Sequence, residues 1–175
     1  MGGTISQILG FNRYRVLLIG MESCGKTTLL YNLKLGAGNA KIVEMPTSVN
    51  MERVDFQGKV LDIWEIGGGS RVRPLWSHYY PKMDFVIFLI DSTDREGFED
   101  AKLQLWQVLE DVELEKSKFL VFANKIDNSN GMNVKEIEEK LKLKTERFEK
   151  RKIKLFKCCA STQEGVEDGL SWLLS

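Results

Sequence analysis

Two periods of hydrophobic spacing take turns along the chain. Unbroken apolar runs at Arg15–Ile19, Phe85–Ile90, Phe119–Ala123 and Ile153–Cys158 predict strands buried on both faces, as in a parallel sheet covered by helices. After each run the apolar residues fall into helical spacing, over Lys26–Leu35, Glu99–Val112, Val134–Leu143 and Val166–Leu174. Strand–helix–strand repetition of this kind closes into a mainly parallel sheet through right-handed crossovers. One stretch breaks the rhythm. Val49–Phe56 and Val60–Trp64 are both strand-like, and the short polar turn Gln57-Gly58 joins them, so they predict a hairpin that adds an antiparallel edge. The expected fold is α/β: a six-stranded, mostly parallel sheet with one antiparallel edge strand and helices on both faces.

The first residues have a different pattern. Ile5, Ile8 and Leu9 fall on one helical face with Phe11 near its edge, which predicts a short amphipathic helix over residues 1–13, ahead of a folded domain at 14–175. Met1-Gly2-Gly3-Thr4-Ile5-Ser6 also matches M-G-x-x-x-[ST], the pattern for acylation of Gly2 once Met1 is removed. One myristoyl chain binds membranes only marginally, so the apolar face would be the second element that stable attachment needs. Residues 1–12 contain no Lys or Arg, and attraction to anionic lipid is correspondingly weak. An ordinary helix packed on the domain is the alternative, and the two can hold in different states of one protein.

Composition narrows the field. The 175 residues suffice for one domain that buries roughly 70% of its unfolded-chain surface, and are too few for two comfortable ones. Lys and Arg together number 25, as do Asp and Glu, so net charge supplies no drive toward nucleic acid. Cys24, Cys158 and Cys159 lack metal-site spacing, and the adjacent pair is poorly placed to bridge; a reducing cytosol is the simplest setting. No apolar run approaches the length of a membrane span, and the N-terminus lacks the charged start and long apolar core of a secretory signal.

The chemistry lies at the ends of strands. Gly20-Met21-Glu22-Ser23-Cys24-Gly25-Lys26-Thr27 fits G-x-x-x-x-G-K-[ST] and stands between a predicted strand and a predicted helix, the context a phosphate-binding loop requires. Its glycines let successive N–H groups point inward, and the next helix adds its positive end, so a polyphosphate finds donors before any side chain acts. Lys26 would reach the outer phosphates and Thr27 would offer a hydroxyl to Mg²⁺. After the run Phe119–Ala123 comes Asn124-Lys125-Ile126-Asp127. A carboxylate at Asp127 accepts from both N1–H and the exocyclic amine of guanine, an arrangement adenine does not offer. Asn124 can tie this loop back to the phosphate loop, and the aliphatic stem of Lys125 can cover one face of the base. N-K-x-D alone is a weak signal; beside a phosphate loop, at the end of a parallel strand where ligands of open α/β sheets gather, it points to GTP or GDP.

With these residues in place, the chain resembles the small GTPases of the Ras superfamily, and within them the Arf and Arf-like family. The resemblance rests on Gly25-Lys26-Thr27-Thr28-Leu29-Leu30-Tyr31, Leu33-Lys34-Leu35-Gly36, Pro46-Thr47, the pair Gly67-Gly68, Arg73-Pro74-Leu75-Trp76, His78-Tyr79, Phe122-Ala123-Asn124-Lys125 and Gly169-Leu170-Ser171-Trp172-Leu173. It implies the P-loop small-GTPase fold and a nucleotide site that includes Glu22, Ser23, Cys24, Gly25, Lys26, Thr27 and Thr28. Thr47 would close over the γ-phosphate and Mg²⁺, and the backbone N–H of Gly68 would meet the γ-phosphate. Cys159-Ala160-Ser161 is similar to the family's Cys-Ala-Thr, whose backbone contacts the guanine carbonyl. The hairpin corresponds to the interswitch, which slides along the sheet between the GDP and GTP states and so links nucleotide to membrane. Effector proteins would meet Val49, Trp64 and Tyr79, and an exchange factor and a GTPase-activating protein would act on the nucleotide. Its expected place is cytoplasmic, peripheral on the cytosolic face of an internal membrane.

The departures from that pattern are informative. Where the family has Trp-Asp-Val-Gly-Gly-Gln, this chain has Trp64-Glu65-Ile66-Gly67-Gly68-Gly69. The family's aspartate orients the Mg²⁺ shell, and Glu65 carries the same charge one methylene further out. The family's glutamine positions the attacking water, and Gly69 has no side chain with which to do so; weak intrinsic hydrolysis is the expectation. The segment Gly36–Met45 is longer than is usual, and Ser48-Val49-Asn50 stands where the family has Ile-Gly-Phe-Asn, with Val49 in place of an aromatic. Two other readings remain open at this point. One is a scaffold locked in a single nucleotide state and acting as a protein-binding module. The other is a P-loop kinase or other ATP-using enzyme, against which Asp127 argues.

Overall fold

A computed structural model describes residues 12–39 and 49–175. Gly2, the apolar residues of the expected N-terminal helix and Thr47 lie outside the described residues.

The apolar runs become the parallel strands. The sheet order is β2-β3-β1-β4-β5-β6, with β1 at Arg13–Gly20, β2 at Val49–Phe56, β3 at Lys59–Ile66, β4 at Phe85–Asp91, β5 at Lys118–Asn124 and β6 at Ile153–Lys157. Only β2 runs antiparallel to its neighbour, pairing Val49 with Ile66 through to Phe56 with Lys59. Its turn is made by Gln57 and Gly58, both with positive φ (49° and 74°), the backbone that matches a two-residue hairpin to the twist of its strands. Because side chains alternate across a strand, β1 feeds two cores at once. Leu17 and Ile19 meet Phe88, Val121 and the helices α2 (Phe98–Glu110) and α3 (Val134–Leu141) on one face. Val16 and Leu18 meet Ile87, Phe122 and the helices α1 (Lys26–Leu35) and α4 (Val166–Leu173) on the other.

Element boundaries shift where local chemistry competes with periodicity. The helix expected to reach Val112 stops at Glu110, because Asp111 turns extended and its carboxylate accepts from the Glu113 N–H at 2.9 Å, starting a short 3-10 turn instead. The helix expected to reach Leu143 stops at Leu141, followed by Lys142 in the left-handed region. Arg73–Tyr79 forms a 3-10 helix with Pro74 in its first turn, an element too short to show a period. The strand predicted through Cys158 ends at Lys157, although the Cys158 N–H still donates to Ala123 at 2.8 Å.

Candidate functional site

The carboxyl ends of β1, β4 and β5 and the loop after β6 converge, and the expected site residues gather there. The end of β1 and the turn after it carry three residues with positive φ: Gly20, Ser23 and Gly25. At Gly25 a side chain is excluded twice over, by a φ of 104° and by the Asn124 amide, 2.3 Å from where a Cβ would stand. Lys26 is buried, its ammonium fixed over the loop by the carbonyls of Gly20 (3.1 Å) and Met21 (2.7 Å).

Asn124 joins the three segments. Its Nδ2 donates to the Cys24 carbonyl at 2.8 Å, and its Oδ1 accepts from the Ala160 N–H at 2.8 Å and the Cys158 thiol at 3.5 Å. The link from base loop to phosphate loop is therefore present as read from sequence. The Ala160 N–H, by contrast, is spent inside the protein, so Ala160 and Cys159 reach the cleft as part of its wall. Lys125, held at φ 65°, lays its stem across the same place and anchors its ammonium on the Ser23 carbonyl (3.0 Å) and the Asp91 carboxylate (2.5 Å). Burial works against the charge on Asp91, but the Lys125 ammonium and the Thr93 hydroxyl and N–H outweigh it and hold the carboxyl below its usual range. The result is a cleft of about 240 Å³ lined by Gly25, Thr28, Asn124, Lys125, Asp127, Cys159, Ala160 and Ser161 among others. Asp127 is exposed at its mouth, and among the described residues no hydrogen bond or ion pair engages its carboxylate.

Two contributors escaped the sequence reading. Asn32 on α1 is 3% exposed and donates to the carbonyls of Ala160 (2.8 Å) and Ser161 (3.2 Å), pinning the base loop from below. A polar residue three positions after Leu29, on the buried stripe of a helix, was the available signal. Asp91 was signalled too, standing at the carboxyl end of an apolar strand.

The other end of the site is built differently. The Thr27 hydroxyl donates to Glu65 Oε1. Glu65 is 3% exposed, and its Oε2 is buried with no hydrogen-bond partner among the described residues. Burial pushes this carboxyl above its usual range, and Thr27, the Lys26 charge and the nearby Asn50 amide offset only part of that. Hydroxyl and carboxylate oxygens are the donors a hard divalent cation takes, and Thr27 and Glu65 supply one of each. Among the described residues no three His, Cys, Asp or Glu side chains converge on a metal position, so phosphate and water would complete the shell. Gly68 packs directly on the phosphate loop: a Cβ there would come within 2.2 Å of the Gly20 carbonyl oxygen and 2.6 Å of the Glu22 nitrogen. Gly69 is open, with only the Glu22 carboxylate near, at 3.7 Å from a Cβ position. Of the proposed effector surface, Trp64 and Tyr79 pair as tilted rings 6.3 Å apart, and Val49 packs against the same cluster.

The family comparison bears on all of this. The model of the ADP-ribosylation factor family matches residues 2–175. The chain belongs to that family. Among solved structures it is similar to the Arl6 (BBS3) small GTPase of Trypanosoma brucei, solved with a bound nucleotide analogue, GppNp. The TM-score is 0.84 at 26% identity, over 93% of this chain and 96% of that one. Membership in the ADP-ribosylation factor family, with this fold, makes the chain a guanine-nucleotide-binding switch of the Arf-like type. The loop at Gly20–Thr27 and the cleft at Asp127 adjoin, since Gly25 and Asp127 line the same cavity.

Proposed function

We propose that this chain is a membrane-associated, guanine-nucleotide-dependent switch, acting in trafficking or signalling, whose own hydrolysis of GTP is slow. The observation that carries the nucleotide specificity is the uncommitted Asp127 carboxylate at the mouth of a cleft whose Asn124 and Lys125 side chains are already paired. Guanine supplies the two donors this carboxylate lacks, and the Lys125 stem and Thr28 pack the base. The phosphate loop receives the polyphosphate through its N–H groups and Lys26. Mg²⁺, when bound, neutralises phosphate charge, and Thr27, Thr47 and Glu65 are the residues that would hold it. Gly68, flush against the loop, presents backbone at the γ-phosphate position. Beside it Gly69 leaves open the space from which the family's glutamine positions water, and phosphoryl transfer depends mostly on such positioning.

Membrane attachment is proposed through acylated Gly2 and the apolar face beyond it. Among the described residues no helix is long and apolar enough to cross a membrane, so attachment would be peripheral. Effectors would read Trp64, Tyr79 and Val49, and an exchange factor and a GTPase-activating protein would set the nucleotide state.

Competition binding tests the specificity. GTP and GDP displace a fluorescent GDP analogue at least about 100-fold more effectively than ATP, and Asp127→Asn removes about 2–3 kcal/mol of that preference, two charge-assisted hydrogen bonds' worth. Retained guanine preference in Asp127→Asn would sink the assignment.

A further inference from the structure

Away from the nucleotide cleft, an open sheet edge and an apolar groove meet along β6. The strand has β5 on one side and no strand among the described residues on the other. Two bonds fix which way its backbone faces: the Phe119 N–H donates to the Lys152 carbonyl at 2.7 Å, and the Cys158 N–H donates to the Ala123 carbonyl at 2.8 Å. Residues of a parallel ladder alternate, so Lys154 and Phe156 turn their N–H and C=O groups to β5 while Ile153 and Leu155 turn theirs outward. Ile153 and Leu155 also line a groove of about 890 Å³, walled by Val134 on α3 and by Leu143 and Phe148 in the loop before the strand. An unpaired edge beside such a groove suits an extended peptide, held through its backbone with every second side chain in the groove.

Charge selects the peptide. The groove's rim is mixed, Glu138, Glu146 and Glu149 against Lys144 and Arg151, and favours neither sign. The opposite face of β6 is basic. Lys154 lies there, 4.9 Å from the Phe156 ring and 6.0 Å from that of Trp172. Lys152, two positions back, shares that side. Lys118, whose ammonium rests on the Trp172 carbonyl, is held below the usual lysine range by burial and then by the charges of Lys152 and Lys59. Lys152 and Lys154 are exposed, and neither forms an ion pair among the described residues. A second copy of β6 would bring lysines against lysines, which disfavours self-pairing and leaves the edge to a partner of opposite charge.

We propose that the free edge of β6 docks an extended peptide of alternating apolar and acidic residues, which adds as a seventh strand. Its apolar side chains enter the groove beside Ile153 and Leu155, and its carboxylates, about 7 Å apart, meet Lys152 and Lys154. The site is independent of the nucleotide.

The test titrates a fluorescein-labelled octapeptide of alternating glutamate and valine into the full chain. It binds more tightly than about 1 mM and weakens with salt, and a peptide of the same composition with its acids in one block binds at least about tenfold more weakly. Combining Lys152→Glu with Lys154→Glu leaves the melting temperature in place, costs about tenfold in affinity and transfers preference to a lysine–valine peptide. Amide hydrogen exchange at Ile153 and Leu155 slows when the peptide is bound. No binding at about 1 mM, equal affinity for the block peptide, unmoved affinity in the double variant or unchanged exchange at Ile153 and Leu155 each overturns the proposal. So does a dimer of this chain, seen by sedimentation, whose formation protects those same two amides.

Discussion

The two ends of the proposed nucleotide cleft are held by different amounts of structure. At the base end the polar side chains around Asp127 are tied down: Asn124 to Cys24, Cys158 and Ala160, Lys125 to Ser23 and Asp91, Asn32 to Ala160 and Ser161. At the end beside Gly68, Glu65 is tied to the Thr27 hydroxyl and Gly69 has no side chain. On the proposed function, holding a nucleotide and cleaving it are separable. Recognition needs a preformed, rigid socket; catalysis needs groups aimed at the reacting phosphate, and Glu65 and Gly69 stand where the family has an aspartate and a glutamine.

The sharpest way to break the comparison is Asn124→Ala. It strands the Ala160 N–H and the Cys24 carbonyl in a dry interior, at a cost of about 2–4 kcal/mol and a fall in Tm of about 5–10 °C, together with loss of measurable nucleotide binding. Thermal melts with and without GDP check both. Next in size, Gly69→Gln fills a space that is open and strain-free. Single-turnover GTP hydrolysis rises about 10- to 100-fold while GDP affinity stays put. A wild-type rate already equal to that of ordinary family members would remove the contrast altogether. Asn32→Ala probes the rigid end more gently, lowering stability by about 1–2 kcal/mol and hastening release of the GDP analogue.

The smallest effect is in pH. Asp91 titrates lower in the folded chain than in the unfolded one, so the stability it contributes is whole above the ordinary carboxylate pKa and drains as pH falls through the depressed folded value. The stability gap between wild type and Asp91→Asn is therefore flat above the ordinary carboxylate pKa and narrows as pH falls below it, which urea titrations across the acid range would show. Glu65 has the opposite sign. With its folded pKa raised, its favourable contribution belongs to low pH and is lost as pH rises through that value.

Much of the fold and site is legible in the chain itself. Long apolar runs fix parallel strands because nothing else buries them, and Gly25, Lys26, Asn124 and Asp127 announce their chemistry through spacing. What sequence conceals falls into two kinds. One is local competition, as where Asp111 captures a backbone N–H and ends a helix that periodicity would have continued. The other is partnership at a distance. Asn32 meets its partners at residues 160 and 161.

The bonds made by Asn124 and Asn32 span 100 residues to Cys24 and 128 to Ala160. During synthesis, the phosphate loop is among the first parts of the domain to emerge, yet it gains its far wall only when the loop after β6 arrives. Closing such wide loops is entropically slow, so the socket forms late and all at once. A growing chain shorter than that loop has a place for phosphates and no place for guanine, and a nucleotide can reward only the finished fold.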